Sequence, residues 1–276
     1  TDKYKNEELN AETHGVLSYN ASLPMFRKDI DENKINFLTP KASLRYSPGH
    51  MRDIDDDVLR LDYSNLFTLN KNSHIDVVEK GASLAVGLEL SNLDFKNNKT
   101  EDENYSLYIG QIYNLEKNFD MPSQSSLDQH VSDLVGEASI KFTESFSLTN
   151  EFSVDHNFND INYNDLNATL LLGKAKFNLG YLEENNHIGN SSYVKSDIQL
   201  EINESNNLSF DLKKNLETDS TEFYNLAYNY INDCLKAGLV YRREFYQDRD
   251  IESSDTLMFN ITLFPLGNVA LPTVGR

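Results

Sequence analysis

No tryptophan occurs in this chain and there is a single cysteine, so neither an internal disulfide framework nor a multi-cysteine zinc site can be built. Proline and glycine are sparse, 6 and 12 of 276 residues, which excludes collagen-like and linker-like chains. No stretch approaches the roughly 18 consecutive apolar residues of a membrane-spanning helix. That excludes a helical membrane protein but leaves a membrane β-barrel open, because alternating strands average to a polar composition. Positive charge is scarce, with 25 Lys and Arg against 44 Asp and Glu. No basic patch is interleaved with aromatics, so no nucleic-acid partner is expected. Catalytic motifs are missing as well. The six histidines (His14, His50, His74, His130, His156, His187) are scattered, and none lies in an H-E-x-x-H pattern. There is no nucleophile elbow, dinucleotide fingerprint or P-loop. The chain is read as not an enzyme, with no cofactor.

What the chain has in quantity is alternation. Tyr224, Leu226, Tyr228 and Tyr230 share one face of a segment; Ala237, Leu239, Tyr241 and Phe245 share another; Leu257, Phe259, Ile261 and Leu263 a third. A period of two with one apolar face is a half-buried strand. Asn232-Asp233 forms a tight turn between the first two, and Gln247 to Asp255 a long charged loop before the third. Upstream, the pairs Ala138–Phe142 and Phe146–Val154, Leu166–Leu172 and Ala175–Tyr181, and Val194–Ile202 and Leu208–Leu212 repeat the pattern. Turn centres fall near positions 144, 173, 205 and 233, a step suited to membrane-spanning hairpins.

The first part of the chain is less regular. His14–Met25 and Ile35–Tyr46 read as strands, with Pro40 marking a kink, bulge or edge. Residues 47–80 lose the rhythm and read as one long loop folded back on itself. Leu84, Val86, Leu88 and Leu90 begin the next strand. Residues 92–104 read as a loop, Tyr105, Leu107, Ile109 and Tyr113 as a strand interrupted by Gln111, and 117–131 as another polar loop. The total is 13 to 14 sequential antiparallel strands with no domain boundary.

A soluble sheet, such as a secreted β-protein used for binding, satisfies alternation equally well. Three features favour the barrel. Strands are long and evenly spaced, short turns alternate with long loops, and the polar face carries charge, as with Lys195, Asp197, Gln199 and Glu201 on one strand. A general porin or receptor barrel is the other alternative. Asp53, Asp55 and Asp57 are weak metal candidates, since the run lacks the glycine and distal glutamate of an EF-hand, and Asp248-Arg249-Asp250 is weaker still. Solvated acidic loops are the favoured reading, and no metal is assigned. Cys234, beside a short turn, would sit at the periplasmic rim, and a lone cysteine in an exported protein points to a partner elsewhere.

Several landmarks resemble the LPS-assembly outer-membrane protein family LptD, also called organic solvent tolerance protein OstA. They are the run Leu44–Leu90 with Leu66-Phe67…Asn70 and Asp76…Glu79…Gly81, then Gly110-Gln111-Ile112-Tyr113, Ser132-Asp133-Leu134-Val135-Gly136, and the closing Asn232-Asp233-Cys234…Tyr241-Arg242-Arg243…Asp248-Arg249-Asp250-Ile251. The style of the matches and the Asn/Lys/Ile-rich composition resemble an alphaproteobacterial type. The resemblance implies that residues 1–276 are the C-terminal portion of an antiparallel transmembrane barrel of 26 strands, without the N-terminal jelly-roll and first barrel strands. It implies a Gram-negative outer-membrane location and insertion of lipopolysaccharide into the outer leaflet, through the lumen and a lateral gate. Implied partners are LPS, an LptE-type plug lipoprotein, the periplasmic LPS bridge acting through the jelly-roll, and outer-membrane lipids. By resemblance, the last strand (Leu257, Phe259, Ile261, Leu263) is one side of the gate. Cys234 bonds to the missing N-terminal region, with Asp233 standing where the family has a second cysteine. Lys195, Asp197, Gln199 and Glu201 face the lumen.

Overall fold

The computed structural model describes residues 13–29, 34–72, 74, 76–96, 100–185, 190–245, 254–264, 267–270 and 274–275. All of its strands belong to one antiparallel sheet in which sequence neighbours are spatial neighbours. The first position of the sheet is shared by β1 (Leu17–Ser22) and β2 (Met25–Asp29), both paired with β3 (Lys34–Ser47). Their break at Leu23-Pro24 falls opposite Pro40. The Leu23 N–H still donates to the Pro40 carbonyl at 3.0 Å, but Pro40 has no N–H to return, so the ladder is interrupted there.

The sheet continues through β4 (Gly81–Lys96), β5 (Thr100–Asn114), β6 (Leu134–Thr143), β7 (Phe146–Val154) and β8 (Ile161–Leu172). Next come β9 (Ala175–Glu184), β10 (Ser191–Asn203), β11 (Asn206–Asn215), β12 (Ser220–Ile231), β13 (Leu235–Glu244) and β14 (Ser254–Leu263). On the far side of β14 lie β15 (Gly267–Ala270) and β16 (Val274–Gly275), both paired with it. Counted by position, the sheet is fourteen strands wide, and among the described residues no pairing closes it on itself.

The structure departs from the sequence expectations in two places. Much of 92–104 is strand, because β4 and β5 stay paired from Asn92↔Tyr105 to Lys96↔Thr100 around a bulge. The apolar alternation stops there although the ladder does not. The face that carries Leu88 and Leu90 turns polar, and Asn92 donates to Asn36 at 2.7 Å and accepts from Asn104 at 2.8 Å. The strand Thr256–Phe264 is also not the final one, since β15 and β16 come after it. These pieces are too short to show a period of two.

Connections alternate in length between the two ends. At one end the turns 144–145, 173–174, 204–205 and 232–234 are tight. At the other lie 48–80, 115–133, 155–160, 216–219 and the connection after β13. The register puts Leu44, Leu84, Leu179, Leu226, Leu239 and Phe259 on one face, all exposed. The opposite face carries Ser43, Ser83, Ser106 and Ser153, all buried. A water-soluble sheet buries its apolar side; this one exposes it, the arrangement suited to hydrocarbon.

Candidate functional site: a polar face half covered by inserted loops

The buried core is built between the sheet and its own loops. Met51, Ile54, Leu61, Leu66 and Val77 from the first long loop and Met121 and Leu127 from the second cluster with Ala85, Ile112 and Val135 of the sheet. Among its described residues loop 48–80 contains no strand, as expected, but it is not a solvated excursion. It lies against the polar face of the first strands.

Its seat is a gap in the side chains. Gly87 and Gly110 are directly paired across β4 and β5. A Cβ on Gly110 would lie 2.2 Å from Leu66 Cδ2 and 2.8 Å from the Val86 carbonyl; one on Gly87 would lie 2.7 Å from the Phe67 ring. Two facing glycines thus leave a flat window of backbone that Leu66 and Phe67 fill. Tyr63 stacks on Tyr108 with centroids 5.5 Å apart and donates to Glu89 at 3.0 Å. Burial, helped by the Glu89 carboxylate, pushes the Tyr63 hydroxyl above the usual phenol range, so it stays a donor.

Polar tethers hold the rest of the loop. Arg45, 3% exposed, donates to the Leu69 and Glu79 carbonyls at 2.5 Å each. Lys71 and Glu79 form an ion pair of 3.2 Å, with side chains only 2% and 4% exposed. Asn70 closes the loop on itself, donating to the Val77 carbonyl at 2.7 Å and accepting from the Glu79 N–H at 3.2 Å. Arg60 reaches furthest, pairing with Glu184 of β9 at 2.6 Å over the Tyr163 ring at 3.9 Å.

The second long loop, 115–133, locks onto the first. Lys80 pairs with Asp120, and the Ile54 N–H donates to the Asp120 carbonyl at 2.9 Å. Ser132 Oγ accepts from the Ile112 N–H at 2.9 Å, and the Asp133 carboxylate accepts from Ser153 at 3.0 Å and Asn162 at 2.7 Å. Between them the loops cover the polar face from β3 to β8 and reach Glu184 of β9; among the described residues they make no hydrogen bond or ion pair with β10 to β14, the bare half of that face.

The residues singled out from sequence occupy separate parts of the sheet. Lys195, Asp197, Gln199 and Glu201 share the polar face on its bare half, where Asp197 accepts from Asn178 at 2.7 Å and Gln199 at 2.9 Å. Leu257, Phe259, Ile261 and Leu263 share the apolar face of β14. Cys234 is exposed at a tight turn, its N–H donated to Asn232 Oδ1 at 3.0 Å. Asp53 and Asp57 are not brought together: Asp53 accepts from the Asp55 N–H at 3.1 Å, whereas Asp57 pairs with His74 at 2.8 Å. Sharing with Asp53 raises the Asp55 carboxyl above its ordinary range. Among the described residues no group of His, Cys, Asp and Glu is arranged to hold a metal ion. The run Asp248-Arg249-Asp250 lies outside the described residues. Sequence reasoning misses the loop seat; its signal is a pair of glycines on the polar side of alternating strands.

Comparison with known proteins gives three results. The profile of the LptD family, described as LPS transport system D, matches residues 10–211. No curated protein matches. Solved structures similar to the chain include a triple mutant of the Rhodopseudomonas blastica porin, 9% identical with a TM-score of 0.34, and a double mutant of it, 10% identical with 0.33. In both, 95% of this chain and 98% of the other are covered. The landmarks within the matched span are the parts that build the loop seat: Leu66-Phe67…Asn70, Glu79, Gly110 and Ser132-Asp133. The chain belongs to the LptD family, a transport component of lipopolysaccharide assembly at the outer membrane.

Proposed function

We propose that the chain is one side of an outer-membrane barrel wall that passes lipopolysaccharide to the outer leaflet. The observation that carries this reading is the segregation of the sheet. One face carries exposed apolar side chains from β3 to β14, among them Leu44, Leu84, Leu179, Leu226, Leu239 and Phe259, and the other is polar, charged and partly covered by inserted loops. Lipid would meet the first. The second gives the LPS sugars a hydrated path, on which Lys195, Asp197, Gln199 and Glu201 lie. No bond of the substrate is made or broken, which agrees with a sequence free of catalytic motifs.

Among the described residues the sheet's two outer positions have no further strand beside them, and an unpaired backbone N–H or C=O costs several kcal/mol in hydrocarbon. This supports closure by further strands, as in a 26-stranded barrel whose first strands and jelly-roll lie outside the chain. The lateral gate is placed at β14 and the two short strands beyond it. Among the described residues ten pairs join β13 to β14, four join β14 to β15 and two join it to β16. The plug lipoprotein of LptE type and the periplasmic bridge complete the assembly in this reading.

Cys234, at a tight turn on the end opposite the long loops, is placed at the periplasmic rim, where a disulfide to the jelly-roll region forms. The expected result is a heat-modifiable outer-membrane band that also shifts on reduction. A Cys234→Ser strain is expected to lose the reduction shift and to mature slowly or not at all. Normal surface LPS in that strain would remove the disulfide from the account; a soluble, heat-insensitive protein would remove the barrel.

A further inference from the structure

The bare half of the polar face is not uniform. Near the long-loop end, four neighbouring strands bring together two aromatic rings and three cations. Lys213 of β11 lies over the Tyr193 ring of β10 at 3.9 Å, and Arg242 of β13 over the Phe223 ring of β12 at 4.7 Å. The register makes these one patch: Lys213 is directly opposite Phe223 on one side and Lys195 on the other. Like charges facing each other across a ladder are destabilising. Lys213 has one counter-ion, Glu222 at 2.7 Å, and Arg242 has Glu244 at 2.6 Å. Lys195 is exposed and makes no ion pair among the described residues. Asp197 and Asp211 face each other one row further in. Among the described residues two of the three cations thus have one carboxylate each and Lys195 has none, which leaves it as the group an anionic occupant would pair with first.

We propose that Lys195, Lys213 and Arg242, with Tyr193 and Phe223, form a subsite for a phosphorylated saccharide. The inference rests on reading this face as the path of the LPS sugars, and it adds where on that path the substrate is held and by which groups. A guanidinium and two ammonium groups match the oxygens of a phosphate monoester. The two rings, two strand spacings or roughly 10 Å apart, offer flat faces to sugar C–H groups on either side. The cations now lying over the rings are held there only by cation–π attraction and single carboxylates. They can therefore turn towards a phosphate without breaking a buried network. No covalent step is involved.

The test uses the intact outer-membrane assembly and two probes: LPS bearing its phosphates, and the same LPS after their enzymatic removal. The triple variant Lys195→Gln/Lys213→Gln/Arg242→Gln is expected to bind the phosphorylated form at least about tenfold more weakly, the equivalent of one charge-assisted hydrogen bond, and the dephosphorylated form as before. Lys195→Gln alone should shift binding in the same direction. It removes an exposed side chain outside any ion pair, so it decides the question if the triple variant does not assemble. Equal binding of the phosphorylated form by parent and variants would overturn the subsite, as would equal loss for both probes. Competition by inorganic phosphate as strong as that by the phosphorylated oligosaccharide would overturn its saccharide part. A photo-crosslinker at Ser209, on the same face but outside the patch, separates the two levels. If it labels LPS while the variants bind normally, only the subsite is wrong; if it never labels LPS, the path itself is wrong.

Discussion

Gly110→Leu is expected to drive the Leu66-Phe67 ledge off the sheet while leaving the strands paired. The Cβ position is already 2.2 Å from Leu66 Cδ2, and the Val86 carbonyl at 2.8 Å blocks retreat towards the backbone. Overpacking alone costs about 1–3 kcal/mol, and exposing Leu66 and Phe67 costs a further ~2 kcal/mol each. Together these approach the whole stability of a docked surface loop. Amide exchange in residues 59–72 should therefore rise by orders of magnitude, and loop 48–80 should become a site of proteolysis. Exchange in β10 to β13 should not change, because among the described residues the loop bonds no further than Tyr163 of β8 and Glu184 of β9. Gly87→Ala should act in the same direction but less, since the flexible end of the Phe67 ring is what it meets first. Unchanged protection in Gly110→Leu would mean that the ledge does not sit in the glycine window.

The second large effect concerns the buried pair beneath that ledge. Glu79→Ala leaves the Lys71 ammonium, 2% exposed, without its carboxylate 3.2 Å away. Removing one partner of such a pair costs about 3–5 kcal/mol, mostly through the charge left behind. Replacing both, as Lys71→Met with Glu79→Leu, removes the stranded Lys71 charge and should recover part of the loss, the buried Arg45 guanidinium still lacking the Glu79 carboxylate. The contrast separates two roles. If the pair holds the loop by attraction, the double variant is as loose as the single one; if burial without a partner is the penalty, it is measurably tighter than the single one. Exchange protection of residues 69–80 reads the difference, and the second pattern is the one expected. Arg45 keeps its bonds to the backbone carbonyls of Leu69 and Glu79 in both variants, but both remove the Glu79 carboxylate that also balances its buried charge, so the double variant recovers only the part of the loss that belongs to Lys71.

These loops also mark the boundary of what can be read from residue order. From β6 to β14 a period of two is written in the side chains of the exposed apolar face, so the hairpins around 144, 173, 205 and 233 are legible. The signal depends on one solvent being apolar. Where β4 and β5 run past Leu90, Asn92 and Asn104 replace leucine and the strands become invisible, although the backbone ladder continues. The same reasoning explains the loops. Leu61, Leu66, Val77, Met121 and Leu127 are spaced for a tertiary surface and obey no helix or strand period. What they pack against is set by glycines some twenty to forty residues away. Glycine at 87 and 110 can be noted as a side-chain gap, but that the two align is a fact of register. The bare polar half, with Lys195, Asp197, Gln199 and Glu201, is legible because a single strand carries all four. Its companions Lys213, Phe223 and Arg242 are on three other strands, and only pairing unites them.

The most direct test of the central claim places photo-crosslinkers on the two faces of the same strands in the protein assembled in its outer membrane. Ser209 and Asn229 lie on the bare polar face; Phe210 and Tyr228, one residue away on the same strands, lie on the apolar face. The expected result is LPS crosslinked during active transport at Ser209 and Asn229, lost when LPS supply stops. Phe210 and Tyr228 should crosslink membrane lipid whether or not LPS is supplied. Supply-dependent labelling confined to the apolar face, or equal labelling of both faces, would contradict the account.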